Sequence, residues 1–217
     1  SRLPGHINLW LSPFGDRVVE SVMRESGVAD AESQTLLTIR WRPNGDAEWR
    51  RANLAVRADY GAQRMHVVDL LSGDWPARRT LGVEVQSSEY FGVPQGAAII
   101  VERGQRETVV PVTGVIHMPS GFFSSPKVGG DATFFATSET LEWLTGSAHY
   151  NQLNIRMESY SDAEATWLAQ SIQRRLERMG LTVHTYTVTE PDVHWAQAWA
   201  DTVFVILSVL GGMAVGV

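Results

Sequence analysis

The side chains that most often carry chemistry are spread along this sequence and do not form a recognisable motif. Its six histidines stand singly: His6, His66, His117, His149, His184 and His194. None of them lies at a metal-ligand spacing from another histidine or a nearby carboxylate. The phosphate-binding loop, the nucleophile elbow and the HExxH zinc pattern are all missing. The sequence therefore predicts no catalytic residue, no metal and no cofactor, and a protein that is not an enzyme.

Two adjacent aromatic residues are the best candidate for a contact site. Phe122 and Phe123 lie among Gly, Ser and Pro residues in a stretch that is predicted to be a loop. Exposed together, they would offer an apolar surface to a partner or a ligand. Folded back, they would cover the core of the β-rich middle region, and the sequence leaves both arrangements open. Ser124 and Ser125 follow, but no base lies beside them, which disfavours a nucleophile.

Two further pairs of residues have structural explanations. Glu139 and Glu142 share one face of a short predicted helix, where exposure to solvent explains them better than acid–base chemistry. Trp41 and Trp49 flank a turn signal at residues 42–46, and we expect them to form a cross-strand aromatic pair that stabilises a hairpin.

The composition is that of a globular protein. Its 217 residues include 44% hydrophobic and 19% charged side chains, which is enough to bury the core of one large domain or two small ones. The formal net charge of -6 argues against nucleic acid as a partner, because phosphate binding needs a basic surface. Cysteine is absent, which excludes disulfide bonds and thiol chemistry.

The two ends of the sequence each predict a strand-helix-strand unit. In residues 151–188, alternating apolar residues predict a strand, and a capping box that begins at Ser161 starts a long amphipathic helix. Gly180 ends that helix before a second strand. In the N-terminal unit, Ser12 is expected to cap a helix whose first residue is Pro13.

The middle of the sequence has a different predicted composition of elements. Residues 61–148 are rich in predicted strands, Gly and Pro, with only short helices. A β-rich insertion between two matching units is the expected arrangement. If those units pair into one sheet backed by two helices, the fold class is α+β. It would be a porter-like (ferredoxin-like) βαβ + βαβ layer with an inserted β-rich subdomain.

The C-terminal residues form an apolar run. Residues 203–217 carry no charge, although they are fewer than the ~20 residues that cross a bilayer. Trp195 and Trp199, one helical turn apart, suit a membrane–water interface. We expect residues 194–217 to be the start of a truncated transmembrane helix, and the alternative is a buried core helix or a flexible chain end. The chain begins at Ser1 without a signal peptide, so we expect a fragment.

Four stretches resemble the extracytoplasmic core domain of MacB/FtsX-type ABC transporter permeases. They are residues 25–32, where the first helix leads to the second strand, residues 70–76 before the insertion, residues 110–115 with a Val-x-Gly-Val pattern, and residues 151–188. In that family the domain lies between the first and second transmembrane helices. The resemblance covers nearly the whole chain.

The resemblance implies a division into subdomains. A discontinuous porter-like subdomain would comprise residues 6–60 and 149–190, and an inserted β-rich subdomain would comprise residues 61–148. Two residues depart from the family pattern: Ser26 replaces the usual Pro before the glycine, and Ala97 stands where an acidic residue is common. These departures leave the subfamily and its cargo open.

The implied function is mechanical. ATP-driven motion of the membrane helices would be relayed to export, extraction or regulation outside the cytoplasmic membrane. The implied partners are a cytoplasmic ATP-binding subunit, a second permease copy, an extracytoplasmic adaptor or cargo, and membrane lipid at the C-terminus. The implied location is the bacterial cell membrane, with this domain on its extracytoplasmic side. A membrane-anchored ligand-binding or sensory domain is the alternative.

Overall fold

The computed structural model describes residues 5–119 and 126–189. Within them the chain forms ten strands and five helices. In chain order these are β1 (Ile7–Phe14), α1 (Asp16–Val22), β2 (Val28–Arg42), β3 (Arg50–Arg57), β4 (Asp69–Gly73), β5 (Leu81–Glu84), α2 (Val85–Phe91), β6 (Ala98–Arg103), β7 (Arg106–His117), α3 (Pro126–Gly129), β8 (Ala132–Thr137), α4 (Ser138–Thr145), β9 (Tyr150–Met157), α5 (Asp162–Arg178) and β10 (Val183–Val188). This mixture of strands and helices confirms the predicted α+β class.

The first sheet joins the two ends of the described chain. Its strands lie in the order β10-β1-β9-β2, and each neighbouring pair is antiparallel. Ile7 and Leu9 of β1 are buried in the same core as side chains of α1 and α5. Leu168 and Ile172, from the apolar stripe of α5, complete that core. Because strand side chains alternate, the intervening residues of β1 face the other side of the sheet.

The helix α1 begins later than the sequence predicts. Ser12 and Pro13, expected to cap and open it, both belong to β1. The hydroxyl of Ser12 instead accepts a hydrogen bond from the backbone N–H of Thr182 at 3.0 Å. The cap of α5 is confirmed, since the Ser161 hydroxyl accepts from the backbone N–H of Glu164 at 3.3 Å. That cap needs only neighbours in sequence, whereas Ser12 is held by a distant segment.

The second half of β2 and five other strands close into a small barrel. The order is β2-β3-β8-β5-β7-β6, and β6 returns to pair with the end of β2. The pairs β3–β8 and β5–β7 are parallel. The inward-facing side chains, among them Trp41, Leu54 and Phe134, are fully buried. A closed ring leaves few unpaired strand edges. β4 pairs with the C-terminal part of β7, beyond the residues that pair with β6.

Trp41 lies in the barrel core and not against Trp49. Its ring meets that of Phe134 edge-on, with 5.0 Å between the centroids. The Trp49 ring is instead covered by two guanidinium groups, those of Arg40 and Arg42, at 5.3 and 4.8 Å from its centroid. The predicted tryptophan pair is therefore wrong, because strand alternation turns Trp41 toward the barrel interior.

The strand β2 is shared by the first sheet and the barrel. Residues 28–34 pair with β9 along one edge, and residues 35–41 pair with β3. Where β9 leaves β2, the side chain of Asn151 takes its place. Its Nδ2 donates to the carbonyl of Leu36 at 2.8 Å, and its Oδ1 accepts from the N–H of Leu36 at 3.0 Å. One amide thus satisfies both backbone groups at the branch point.

No helix within the described ranges is long and apolar enough to cross a membrane. The predicted transmembrane segment, residues 194–217, lies outside those ranges.

Replacing Asn151 with Ala should destabilise the protein. The substitution leaves the partly buried N–H and C=O of Leu36 without partners, which costs about 1–3 kcal/mol. Urea unfolding followed by tryptophan fluorescence measures the free energy of unfolding. Gln105→Ala, in the exposed turn between β6 and β7, is the control and should change it by less than about 0.5 kcal/mol. Equal stability of the parent and Asn151→Ala would contradict the role given to this amide.

Candidate functional site

A cleft of about 390 Å³ lies between the first sheet and the outer surface of the barrel. The first sheet contributes Asn8, Trp10, Gln34, Gln152 and Thr187. The barrel contributes outward-facing residues of β3 and β8, namely Asn53, Ala55, Arg57, Thr133 and Phe135. His66 and Val68, from the segment between β3 and β4, also line it. In both walls the residues that line the cleft alternate along the strand with residues whose side chains point into a core. This is the alternation that strand geometry requires.

Amide side chains of neighbouring strands lie on the first-sheet side of the cleft, where Asn8, Gln34 and Gln152 line it. The strand register places Asn8 opposite Asn154 and Gln34 opposite Gln152. The Nε2 of Gln34 donates to the Oε1 of Gln152. Asn154 is fully buried, and its Nδ2 and Oδ1 have no hydrogen-bond partner within the described residues. This row therefore holds neutral hydrogen-bonding groups inside the protein, where such groups are normally paired.

Arg57 is the one permanently charged side chain among the described residues that line the cleft. It is 6% exposed and forms an ion pair with Glu32 of β2. Its Nη2 also donates to the carbonyls of Met65 and His66, at 3.0 and 3.1 Å. The second oxygen of Glu32 accepts from the backbone N–H of Met65 at 2.8 Å. The charge of Arg57 is thus balanced within the protein, as burial of a charge requires.

His66 is the other titratable group in the lining. Burial lowers its pKa below the ordinary 6.5, and the positive charge of Arg57 acts in the same direction, partly offset by the negative charge of Glu32. The ring is therefore neutral at pH 7, with Nε2 lying 3.1 Å from Oδ1 of Asn8. The φ angle of His66 is +49°, in the left-handed region that few non-glycine residues adopt. Arg57 is therefore paired and His66 is neutral, so neither offers an unbalanced charge to the cleft.

The wall formed by β8 combines an unpaired hydroxyl with an aromatic ring. Thr133 is 2% exposed, and its Oγ1 has no hydrogen-bond partner among the described residues. Phe135, two residues further along β8, is buried and lines the same cleft. Trp10 is half-buried across from them on β1. The cleft therefore offers aromatic surface beside neutral donors and acceptors.

The contact residues proposed from the sequence cannot be compared with this site. Phe122, Phe123, Ser124 and Ser125 lie outside the described residues. The described histidines remain dispersed, and no group of three or more His, Asp or Glu in residues 5–119 and 126–189 could hold a metal ion. His6, for example, accepts the backbone N–H of Met157 through its Nδ1 at 3.1 Å. Such a contact is structural.

Sequence reasoning missed every residue of the cleft. Polar residues at alternate positions of β9, such as Gln152 and Asn154, were a visible signal. That signal does not separate a solvent-facing side of a sheet from a buried polar one, since both show the same alternation. Only the pairing of β3 with β8 brings Asn53 and Thr133 to the opposite wall.

Comparisons with known proteins identify solved structures of the same fold. No family model matches the sequence, and no curated protein matches it. The extracellular domain of the noncanonic ABC-type transporter YknZ from Gram-positive bacteria superimposes with a TM-score of 0.54 and 14% identity, over 84% of this chain and 100% of that domain. The periplasmic region of MacB from Actinobacillus actinomycetemcomitans gives a TM-score of 0.51 and 12% identity, over 82% and 87%.

A third solved structure agrees with these two. It is a domain of a protein described as a permease from Porphyromonas gingivalis, with a TM-score of 0.50 and 15% identity, over 86% of this chain and 91% of that one. The chain thus has the fold of an extracytoplasmic domain of an ABC-type transporter permease. At the level of the fold, the resemblance to MacB/FtsX-type domains is confirmed.

Replacing Arg57 with Ala should strongly destabilise the protein. It leaves the carboxylate of Glu32, largely buried, without its charge partner, which costs about 3 kcal/mol. The double variant Glu32→Gln/Arg57→Met should recover much of that loss, because no unpaired charge remains. Arg40→Ala breaks a more exposed pair with Glu102 and removes one of the two guanidinium groups over Trp49; it should cost about 1 kcal/mol or less. Urea unfolding of the four proteins tests this order, and equal losses for Arg57→Ala and Arg40→Ala would contradict it.

The stability of the parent should depend on the protonation of His66. As the pH falls below 6.5, the unfolded chain takes up a proton there more readily than the folded chain, in which the pKa of His66 is lowered. Acidification therefore favours the unfolded state, and this contribution is absent from His66→Asn. The free energy of unfolding of the parent, minus that of His66→Asn, should fall as the pH is lowered from 8 to 5. A difference that stays constant over this range would show that His66 is not responsible.

Proposed function

We propose that this chain is the extracytoplasmic domain of an ABC transporter permease subunit in a bacterial cell membrane. It would relay ATP-driven motion of membrane helices to export, extraction or regulation outside the cytoplasm. The observation that carries the proposal is the likeness to the YknZ domain, which this chain covers over its whole length. The MacB periplasmic region supports the same assignment.

The strand order supports a ferredoxin-like layer in the first sheet. Two strand-helix-strand units, β1-α1-β2 and β9-α5-β10, supply an antiparallel sheet in the order β10-β1-β9-β2. Both helices share one core with it. The proposed division is a porter-like subdomain of residues 6–60 and 149–190 and an inserted subdomain of residues 61–148, with β3 and the second half of β2 extending from the former into the barrel. Residues 194–217 would then begin a transmembrane helix.

The connection through β2 supports a mechanical role. Fifteen residues of one strand, spanning roughly 50 Å at 3.3 Å per residue, take part in both the first sheet and the barrel. A displacement of β1 or β10, the strands nearest the two ends of the described chain, would be carried to the barrel by backbone hydrogen bonds. Motion of this kind needs no chemistry in the domain itself.

The proposed partners follow from this role. They are a cytoplasmic ATP-binding subunit, a second permease copy in a homo- or heterodimer, and membrane lipid beyond residue 194. An extracytoplasmic adaptor or cargo would complete the assembly. Nucleic acid is not among them, given the net charge of -6.

Purification of the natural full-length protein from its own membranes tests the assignment. An affinity-tagged copy should retain an ATP-binding subunit in stoichiometric amount, identified by mass spectrometry, and the complex should hydrolyse ATP. Recovery of the intact protein with no ATPase would contradict the assignment and favour the membrane-anchored ligand-binding or sensory domain.

A distance measurement in the same complex tests the relay. The present sequence contains no cysteine, so Gln105→Cys adds one labelling site in the exposed β6–β7 turn, and any cysteine elsewhere in the complex is replaced with serine so that each copy carries one spin label. In a dimer, the label-to-label distance should change between the nucleotide-free state and the state trapped with ATP and vanadate. The same label in a complex whose ATP-binding subunit cannot bind nucleotide is the control. An unchanged distance would contradict the relay and leave the permease assignment standing.

A further inference from the structure

The cleft between the first sheet and the barrel has the properties of a small-molecule site. Its volume of about 390 Å³ lies at the lower end of the range of about 300–1,000 Å³ that small-molecule sites occupy. It also lies where two cores meet, a frequent position for such sites. A volume of this size suits a ligand of one or two rings better than a protein segment.

The electrostatics of the lining favour a neutral ligand. Arg57 is already neutralised by Glu32 and by two backbone carbonyls. His66 is directed at Asn8, and burial holds its ring in the neutral form. A charged ligand would lose its hydration in the cleft without gaining an opposite charge, which is costly.

The remaining polar groups favour a ligand that both donates and accepts hydrogen bonds. The amides of Asn53 and Gln152 each carry donors and acceptors, as does the hydroxyl of Thr133. The Thr133 Oγ1 is buried and has no partner among the described residues, so a ligand hydroxyl would gain a bond without displacing one. The indole of Trp10 offers a flat apolar surface opposite, against which the C–H face of a sugar ring can pack.

We propose that this cleft binds a neutral, hydroxyl-rich ligand of mono- or disaccharide size. Trp10 supplies the stacking surface, Thr133 and Asn53 supply hydrogen bonds from the barrel, and Gln152 supplies them from the first sheet. The proposal does not depend on the transporter assignment, because the lining residues and their charges carry it alone. Ligand contacts to both walls would also couple the orientation of the barrel to that of the first sheet.

Isothermal titration calorimetry of the 217-residue chain tests the proposal. The probes are three neutral disaccharides (cellobiose, maltose and diacetylchitobiose) and one anionic disaccharide, digalacturonic acid. At least one neutral probe should bind saturably, with a dissociation constant on the order of 1 mM or tighter. Digalacturonic acid should bind about tenfold more weakly or not at all. Failure of all three neutral probes, or equal binding of the anionic one, would overturn the proposal.

Two variants locate the binding. Trp10→Ala should weaken the neutral probe about tenfold, and Thr133→Val, which keeps the shape but removes the hydroxyl, about threefold or more. Thr133→Val should also raise Tm by a few degrees, because it removes a buried unpaired hydroxyl; its fold is therefore retained and its loss of affinity is informative. Trp167→Ala, on the exposed face of α5, is the matched control. Unchanged affinity in Thr133→Val would place the ligand elsewhere.

Discussion

The whole arrangement depends on the two edges of one strand. A β-strand carries unsatisfied N–H and C=O groups along both sides, and each must find a partner if it is buried. β2 meets this requirement with β9 along its first half and with β3 along its second half. The first sheet and the barrel therefore share one backbone, and neither can slide relative to the other without breaking hydrogen bonds. The position of the cleft between them follows directly from this connection.

Charge placement in the molecule follows the cost of desolvation. Exposed pairs such as Arg40 with Glu102 add little, because water screens them. Arg57 and Glu32 lie where water has little access, so each needs the other and several backbone groups as well. The result is a cleft wall that contains an arginine whose charge is already balanced by Glu32. Neutral amides and hydroxyls then determine what the cleft can recognise.

Short-range patterns predicted the local elements well, and long-range pairing decided the rest. The helix that starts after Ser161 depends on neighbours three residues apart, so its cap was visible in the sequence. Ser12 shows the opposite case, because its partner Thr182 lies at the other end of the chain. The barrel closes through parallel pairing of β3 with β8, about 80 residues apart, which no local periodicity encodes. The cleft depends on that closure, and for this reason its residues could not be chosen from sequence.

The discontinuous first sheet has a consequence for how the polypeptide is made. β1 ends at residue 14 and its partner β9 begins at residue 150. At a synthesis rate of roughly 5–20 residues per second, β1 emerges on the order of ten seconds before β9. The apolar side chains of β1, Ile7 and Leu9, stay without their β9 partner during that interval. The barrel strands that lie between β1 and β9 in the sequence can already assemble. Nascent chains of this protein therefore need protection at β1, where a holdase or rapid delivery to a translocase would act.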